Sequence, residues 1–302
     1  MIRYLTYQQI NKQRWDDCIV TADNGLIYAT AGYLDAMAKQ WDALVLGDYE
    51  AVMPLIWNKK WGIYYLYQPP FTACLGLFGK NISAELLEEF LQQIPSKFKY
   101  WDISLNQGNY FLLQNFNLVQ RMNFVLHLDK PYENLYAAYR DNIKRNIKKA
   151  EKLNCFIKKN IAVDEVIALS AFQSKSFSNL TDEDFSRFKN LYLNLYKHGQ
   201  AITYGVCNAA GELLSSCVFF FFKNRTYYIL VGNHPNGKTI GASHALIDAF
   251  IKDHAAQDLI LDFEGSDIAN LAFFYSSFGA SEEKYVALKQ NNLPIFIRRF
   301  KK

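Results

Sequence analysis

The sequence predicts an α/β protein made of two similar halves, each a mixed sheet with helices packed on it. Three observations carry this reading. Strand-like and helix-like segments alternate along the chain. The order of segments in the first half returns in the second. Matched positions also keep a nearly constant separation: Tyr64 and Tyr227, Phe90 and Phe250, and Asp102 and Asp262 stand 163, 160 and 160 residues apart. A register that drifts so little across whole elements is the mark of a duplicated unit.

In the first half, Trp41–Leu46 reads as a strand, Gly47 and Asp48 as a turn, 50–57 as a second strand, 58–60 as a turn and 62–68 as a third strand. Pro69 and Pro70 then stop the sheet, because proline cannot donate to a ladder. Segment 83–94 reads as a helix. Ser83 stands at its N-cap, and Leu86, Leu87, Phe90, Leu91 and Ile94 fall on one face. A strand over 100–105 follows.

The second half repeats this order. Ala201–Cys207, 212–222 and 227–232 read as strands, with turns at 208–211 and 223–225 and Pro235 following. A helix over 243–252 turns Leu246, Ile247, Phe250 and Ile251 to one side, and a strand over 259–263 answers the one at 100–105. The join is expected near Leu128–Pro131, giving halves 1–128 and 129–302. A helix over 132–153 bridges into the second, and two short helices over 163–178 and Asp182–Lys197 precede its first strand.

Composition excludes several classes. Half of the 302 residues are hydrophobic and 16% are aromatic, too much apolar material for a disordered chain. A formal charge of +4 is too small to argue for nucleic acid by itself. The first residues turn polar before reaching signal-peptide length, and the strongest apolar run, Cys217 to Phe222, is too short to cross a bilayer. The five cysteines form no CxxC pair, and neither a metal site nor a disulfide framework is expected. Reduced thiols point to a cytoplasmic protein. Walker, Rossmann and Gly-x-Ser-x-Gly patterns are all missing.

Three runs in the second half carry a resemblance: YYILVGNHPNGKTIGAS from Tyr227 to Ser243, LILDFEGS from Leu259 to Ser266, and NLAFFYSSFGA from Asn270 to Ala280. Strand, glycine-bearing loop and helix, then a strand and a helix ending in Tyr-x-x-x-Gly, resemble the GNAT acyltransferases. The basic segment DNIKRNIKKAEKLN, Asp141 to Asn154, resembles the helix that opens the second half of Fem-type transferases. Those enzymes consist of two GNAT-like halves and build peptidoglycan cross-bridges from aminoacyl-tRNA. The resemblance implies tandem GNAT-like domains, the first degenerate, and transfer of an activated acyl or aminoacyl group to an amine.

The resemblance also implies residue roles. Lys238, Thr239, Gly241, Ala242 and Ser243 would hold the donor's pyrophosphate, by charge, close backbone approach and the free amides of a new helix. Lys238 stands where GNAT enzymes carry Arg or Gln. Tyr275 would protonate the departing thiolate, or else belongs to an aromatic core face with Phe273, Phe274 and Phe278. The long helical arm of tRNA-dependent members has no room between Ile161 and Gln200, which ranks acyl-coenzyme A ahead of aminoacyl-tRNA as donor.

Amide-forming transfer requires a juxtaposed amine and carbonyl, a base for the ammonium and a stabilised oxyanion. Glu264, just past a strand end where α/β crevices open, is the candidate base; its alternative is an anion capping a helix at Ser266 or Asp267. His234 is the second candidate base, or a turn residue before Pro235; His244 falls on the following helix. Arg140, Lys144, Lys148 and Lys152 form one basic stripe, with Arg145 and Lys149 beside it, suited to a phosphate-rich ligand or to water. Tyr67 and Phe71 in the first half, with Lys144, Arg145 and Lys148, are expected to line the acceptor cleft between the halves. The acceptor stays open among a peptide, an amino sugar and a small amine, and a non-catalytic scaffold with the same fold is the alternative.

Overall fold

In a computed structural model, the chain is described over residues 1–175, 179–265 and 267–293. It divides into two compact units. Unit 1 is Met1–Arg121 with the segment from Lys284; unit 2 is Met122–Glu283. The expected join at Leu128–Pro131 falls inside unit 2.

Unit 1 contains β1 (Ile2–Leu5), α1 (Lys12–Thr21), α2 (Ala31–Met37), β2 (Trp41–Leu46), β3 (Ala51–Lys60), β4 (Ile63–Tyr67), β5 (Phe78–Gly79), α3 (Ala84–Gln92) and β6 (Phe98–Leu105). Next in the chain comes β7 (Leu118–His127), whose residues from Met122 onward belong to unit 2. Unit 2 continues with α4 (Tyr132–Ala137), α5 (Asp141–Lys152), β8 (Phe156–Lys159), α6 (Val163–Ser174) and α7 (Asp182–Lys197). Then follow β9 (Ala201–Cys207), β10 (Leu213–Phe222), β11 (Arg225–Asn233), α8 (Pro235–Ile240), α9 (Ala242–His254), β12 (Ile260–Asp262) and α10 (Ala269–Ser276). The last strand, β13 (Ser281–Asn291), passes into unit 1 at Lys284.

The duplication is visible in the pairings. Unit 1 orders its strands β1-β2-β3-β4-β6-β13, and unit 2 orders its own β8-β9-β10-β11-β12-β7. In each, a meander of antiparallel strands is followed by a helical crossover into one parallel pair, β4 with β6 and β11 with β12. An antiparallel strand then completes each sheet. For β6 it is β13, and for β12 it is β7, so each unit is finished by the strand that follows the other's parallel strand in sequence.

The crossover helices form for the expected reasons. Ser83 accepts the N–H of Leu86 at 3.2 Å and starts α3, and Leu87, Phe90 and Leu91 are fully buried. On α9, Leu246, Ile247, Phe250 and Ile251 are fully buried, and Phe250 stacks on Phe219 with centroids 3.7 Å apart. Phe90 and Phe250, matched in sequence, anchor the two cores, each burial contributing roughly 1.5–3 kcal/mol.

Two expected helices differ. Segment 132–153 is broken into α4 and α5, with Arg140 extended (φ −68°, ψ 156°). The N–H of Arg140 donates to the carbonyl of Ser277 at 2.9 Å, and buried Tyr139 meets Phe278 edge-on, so tertiary partners override the helical pattern. The helix from Val163 is described to Ser174; residues 176–178 lie outside the described chain. All five cysteines are free, with Cys18, Cys207 and Cys217 buried. Among the described residues no helix is long and apolar enough to cross a membrane.

Candidate functional site

In unit 2, the parallel strands β11 and β12 pair over three positions only: Arg225 with Ile260, Thr226 with Leu261 and Tyr227 with Asp262. Beyond them β11 runs on to Asn233, while β12 has ended, so the carboxyl ends part. That is where open α/β sheets place ligands. Just past the parting, β11 is irregular: Ser216 pairs with Gly232 but Val218 with Ile229, so Leu230 and Val231 oppose the single residue Cys217. Leu230 accordingly has φ 50°. Such a bulge leaves one residue outside the regular ladder and re-aims the strand.

At the corresponding end of unit 1 the strands stay together, beside a small pocket that Tyr67, Gln68, Leu75, Gly76, Ile103 and Ser104 help to line. Its parallel pairing continues to Tyr67 with Asp102, and Leu75 then bridges Leu105. Gly76, at φ 100°, is pressed against Asn109 and Leu105; a Cβ there would lie 2.3 Å from Asn109 Oδ1. The parallel strands therefore stay paired further in unit 1 than in unit 2.

Glu264 lies two residues beyond the last parallel pair. Its backbone is left-handed (φ 65°), as is that of Gly265 (φ 79°), and its N–H donates to Asp262 Oδ1 at 2.8 Å. Ser266, the other residue offered as a helix start, lies outside the described residues. The Glu264 residue is partly exposed, yet its carboxyl is desolvated, and this burial pushes its pKa well above the usual carboxylate range.

Tyr275, on α10, is 8% exposed and stacks on Phe263, with centroids 4.7 Å apart and planes at 20°. Burial, and next the negative charge of Glu264, raise its pKa. Phe263, Phe274 and Phe124 form an aromatic wall around the tyrosine, and Phe263 immediately precedes Glu264 in the chain. Tyr275 is packed in an aromatic cluster, as the alternative of a core face expected.

His234 has different company. Its Nδ1 accepts the N–H of Asn236 at 3.2 Å, capping α8, while its Nε2 stands 3.8 Å from Glu212 Oε1 and its ring stacks near Phe172. His234 thereby stands at the N-cap of α8, just before Pro235. His244 was open in the sequence. It packs edge-on against Phe274 at 4.9 Å, its Nδ1 is buried with no hydrogen-bond partner, and burial lowers its pKa to about 4.

The expected open donor loop is largely helical. Lys238 and Thr239 lie on α8 and are exposed; Ala242 is fully buried at the start of α9, and Ser243 is partly buried. The glycines serve packing. A Cβ on Gly237 would lie 2.3 Å from the carbonyl oxygen of Leu214, and one on Gly241 (φ 80°) 2.5 Å from that of Asn146. What remains for an anion is the amide-bearing start of α9, with Ser243 and exposed Lys238 nearby in sequence.

The basic stripe divides by role. Lys144 Nζ donates to the carbonyl of Ala137 at 3.0 Å and Lys149 Nζ to that of Thr239 at 2.6 Å, serving the carboxyl ends of α4 and α8. Arg140 lies 4.9 Å from the ring of Phe273. Arg145 and Lys148 are exposed. In unit 1, Tyr67 Oη accepts the N–H of Lys39 at 3.1 Å, and Phe71, left-handed at φ 55°, accepts from the hydroxyl of Tyr33 through its carbonyl.

A cavity of about 380 Å³ also lies in unit 1, walled by Tyr7, Trp41, Trp57, Asp35 and Asp42. Lys12 pairs with Asp35 at 2.5 Å and Lys97 approaches Asp42 at 3.7 Å, so its carboxylates already have cationic partners. Asp42 also accepts the hydroxyl of Tyr4 and the N–H of Tyr7, the latter at 3.1 Å, so this carboxylate is committed to structural partners.

Sequence reasoning missed an ionic network beneath Glu264. Arg225 Nη1 donates to Asp262 at 2.6 Å and its Nη2 to Glu283 at 2.5 Å, while Asn123 Nδ2 donates to Asp262 Oδ1 at 2.9 Å. The signal present in the sequence was the matched pair Asp102 and Asp262, but charge partners from distant strands leave no local pattern.

No family model matches this sequence, and no curated protein matches it. Solved structures do. The chain is similar to FemX over 99% of its length and 100% of that chain, at 14% identity and a TM-score of 0.64. It is similar to a conserved protein of unknown function from Bacteroides thetaiotaomicron over 95% and 99% of the two chains, at 12% identity and a TM-score of 0.61. A C-terminal domain from Agrobacterium fabrum, described as that of a lysylphosphatidylglycerol synthetase, aligns over 93% and 92%, at 7% identity and a TM-score of 0.56. Identities this low show the fold alone, and the fold is one shared with FemX.

Proposed function

We propose that the protein is a transferase that moves an activated acyl or aminoacyl group onto an amine, with its chemistry in unit 2. The observation that carries this is Glu264 just past the parting ends of β11 and β12, next in the chain to Phe263, on which Tyr275 stacks. A desolvated carboxyl with a raised pKa suits a general base, which accepts a proton best when its pKa lies near the working pH. Glu264 would take the proton of the attacking ammonium, and Tyr275 would return one to the leaving group. The bulge at Leu230 supports a backbone amide outside the ladder as oxyanion donor. A fold shared with a domain described as a lysylphosphatidylglycerol synthetase is in keeping with aminoacyl transfer.

Acyl-coenzyme A is the donor we favour. Its pyrophosphate would approach the start of α9, with Lys238 and Ser243 as contacts, and Arg145 and Lys148 are exposed cations within the same unit. The packing of Gly237 and Gly241 against Leu214 and Asn146 favours a second reading, a scaffold that keeps the fold without the chemistry. Calorimetry with acetyl-coenzyme A and with aminoacyl-tRNA separates these readings. Saturable binding of acetyl-coenzyme A, weakened by Lys238→Ala, supports the first. Binding of aminoacyl-tRNA alone, falling steeply with salt, transfers the proposal to that donor. Binding of neither leaves the scaffold.

A further inference from the structure

We propose that Asp262 is a positioning residue for Glu264, and that Arg225, Asn123 and Glu283 exist in this arrangement to hold the Asp262 carboxylate in place. The proposal rests on the transferase reading above and adds to it the device that sets the base.

The argument begins with backbone conformation. A glutamate at φ 65° is uncommon, and two left-handed residues in succession, Glu264 and Gly265, fold the chain sharply as it leaves β12. The hydrogen bond from the Glu264 amide back to Asp262 Oδ1 closes that fold, as aspartate side chains do when they accept from a backbone N–H two residues on. The direction of the Glu264 side chain therefore depends on where the Asp262 carboxylate lies.

That carboxylate is fixed from three other strands. Arg225 on β11 donates to Oδ2 at 2.6 Å, and Asn123 on β7 donates to Oδ1 at 2.9 Å. Glu283 on β13 binds the same guanidinium at 2.5 and 2.9 Å and accepts from Asn123 at 3.2 Å. The Asp262 side chain is 6% exposed and that of Arg225 is 11% exposed. Such a network is a poor source of net stability, because desolvating three charges offsets much of their attraction. Its effect is geometric: four strands agree on the location of one carboxylate.

The duplicated unit supplies an internal control. Asp102, the counterpart of Asp262, has a side chain 59% exposed, held by the hydroxyl of Tyr100 at 3.1 Å and approached by Lys289 at 4.0 Å. Ser104, the counterpart of Glu264, has no left-handed backbone; its N–H donates to Gln68. Where the parallel strands stay together, Asp102 is exposed and the chain after it makes no left-handed turn.

The test compares Asp262→Ala, Asp262→Asn and Arg225→Lys by two readouts. One is the titration of the Glu264 carboxyl, followed by NMR on protein carrying ¹³C-labelled glutamate and assigned with Glu264→Gln; it needs no substrate. The other is turnover of acetyl-coenzyme A with an amine acceptor. The expected result is that Asp262→Ala moves the Glu264 titration toward the ordinary carboxylate range and lowers kcat about 10- to 100-fold with little change in KM. Asp262→Asn, which keeps an acceptor oxygen, should restore part of both. A lowered melting temperature with Glu264 titration unchanged overturns the inference, whatever the activity. If Asp262→Ala does not fold, the same judgement falls on Asp262→Asn and Arg225→Lys. A titration that moves, in a protein that transfers no acyl group from any donor tried, overturns the transferase reading and leaves the positioning of Glu264 standing.

Discussion

Tyr275 lies nearly face-on against Phe263, with ring centroids 4.7 Å apart, and Phe263 immediately precedes Glu264 in the chain. This stacking ties α10 to the end of β12, where the desolvated carboxyl of Glu264 follows. If these groups are acid and base, Glu264→Gln should lower turnover by about two to four orders of magnitude. Tyr275→Phe should preserve the stack and lower turnover by less. Rates measured with an acyl donor under saturating acceptor decide it, and an unchanged rate in Glu264→Gln would leave a structural carboxylate.

Glu264 also predicts a dependence of stability on pH. Its folded-state pKa is raised by burial, so the native state holds a proton that the unfolded chain releases near the usual glutamate value. That contribution is fully present below the unfolded value and is lost as pH rises toward the folded one. Glu264→Gln, which stays neutral, should therefore raise the melting temperature at pH 7 relative to the parent, and the gain should shrink near pH 4. Thermal unfolding at both pH values checks the sign.

His244 acts in the opposite sense. Burial lowers its pKa to about 4, so the unfolded chain binds a proton that the native state refuses between about pH 6.5 and 4. Stability is complete above the upper value and falls as pH drops through this window, by up to about 3 kcal/mol. In His244→Phe the acid side of the stability profile should be flatter; denaturant unfolding at pH 7 and pH 4.5 measures it.

Gly241 separates packing from ligand binding. With φ 80° and Asn146 O 2.5 Å from any added Cβ, Gly241→Ala should destabilise the protein by more than about 1 kcal/mol with no ligand present. A glycine kept only for a phosphate would show normal stability and weakened donor binding. Chemical denaturation of the unliganded protein distinguishes them.

The buried stack of Phe250 on Phe219 predicts that Phe250→Ala costs about 3–5 kcal/mol, the usual result of emptying an aromatic site in a packed core. Phe90→Ala, at the matched site of unit 1, should cost a similar amount. A much smaller loss at one site, by denaturant titration, would show that its core relaxes around the cavity.

The sequence by itself determined the elements and their repetition. Apolar spacing is a local property, so the faces of α3 and α9 and the strands of both meanders could be read from it, as could the match of Phe90 to Phe250 and of Asp102 to Asp262. It also pointed to Glu264 and Tyr275, because a strand end and a short helix fix their rough location. Tertiary structure decided the rest. Tyr139, packed on Phe278, broke a helix that its periodicity would continue, and His234 caps α8. Gly237 and Gly241, which a phosphate loop would also use, were claimed by Leu214 and Asn146. Arg225 and Asn123 converge on Asp262, Glu283 binds both of them from a strand 160 residues beyond Asn123, and β13 and β7 complete the sheets of units 1 and 2. These outcomes depend on which backbone groups and charges meet across the fold. Hydrogen bonds and ion pairs act over a few ångströms of space, whatever the distance along the chain, and no local pattern records them.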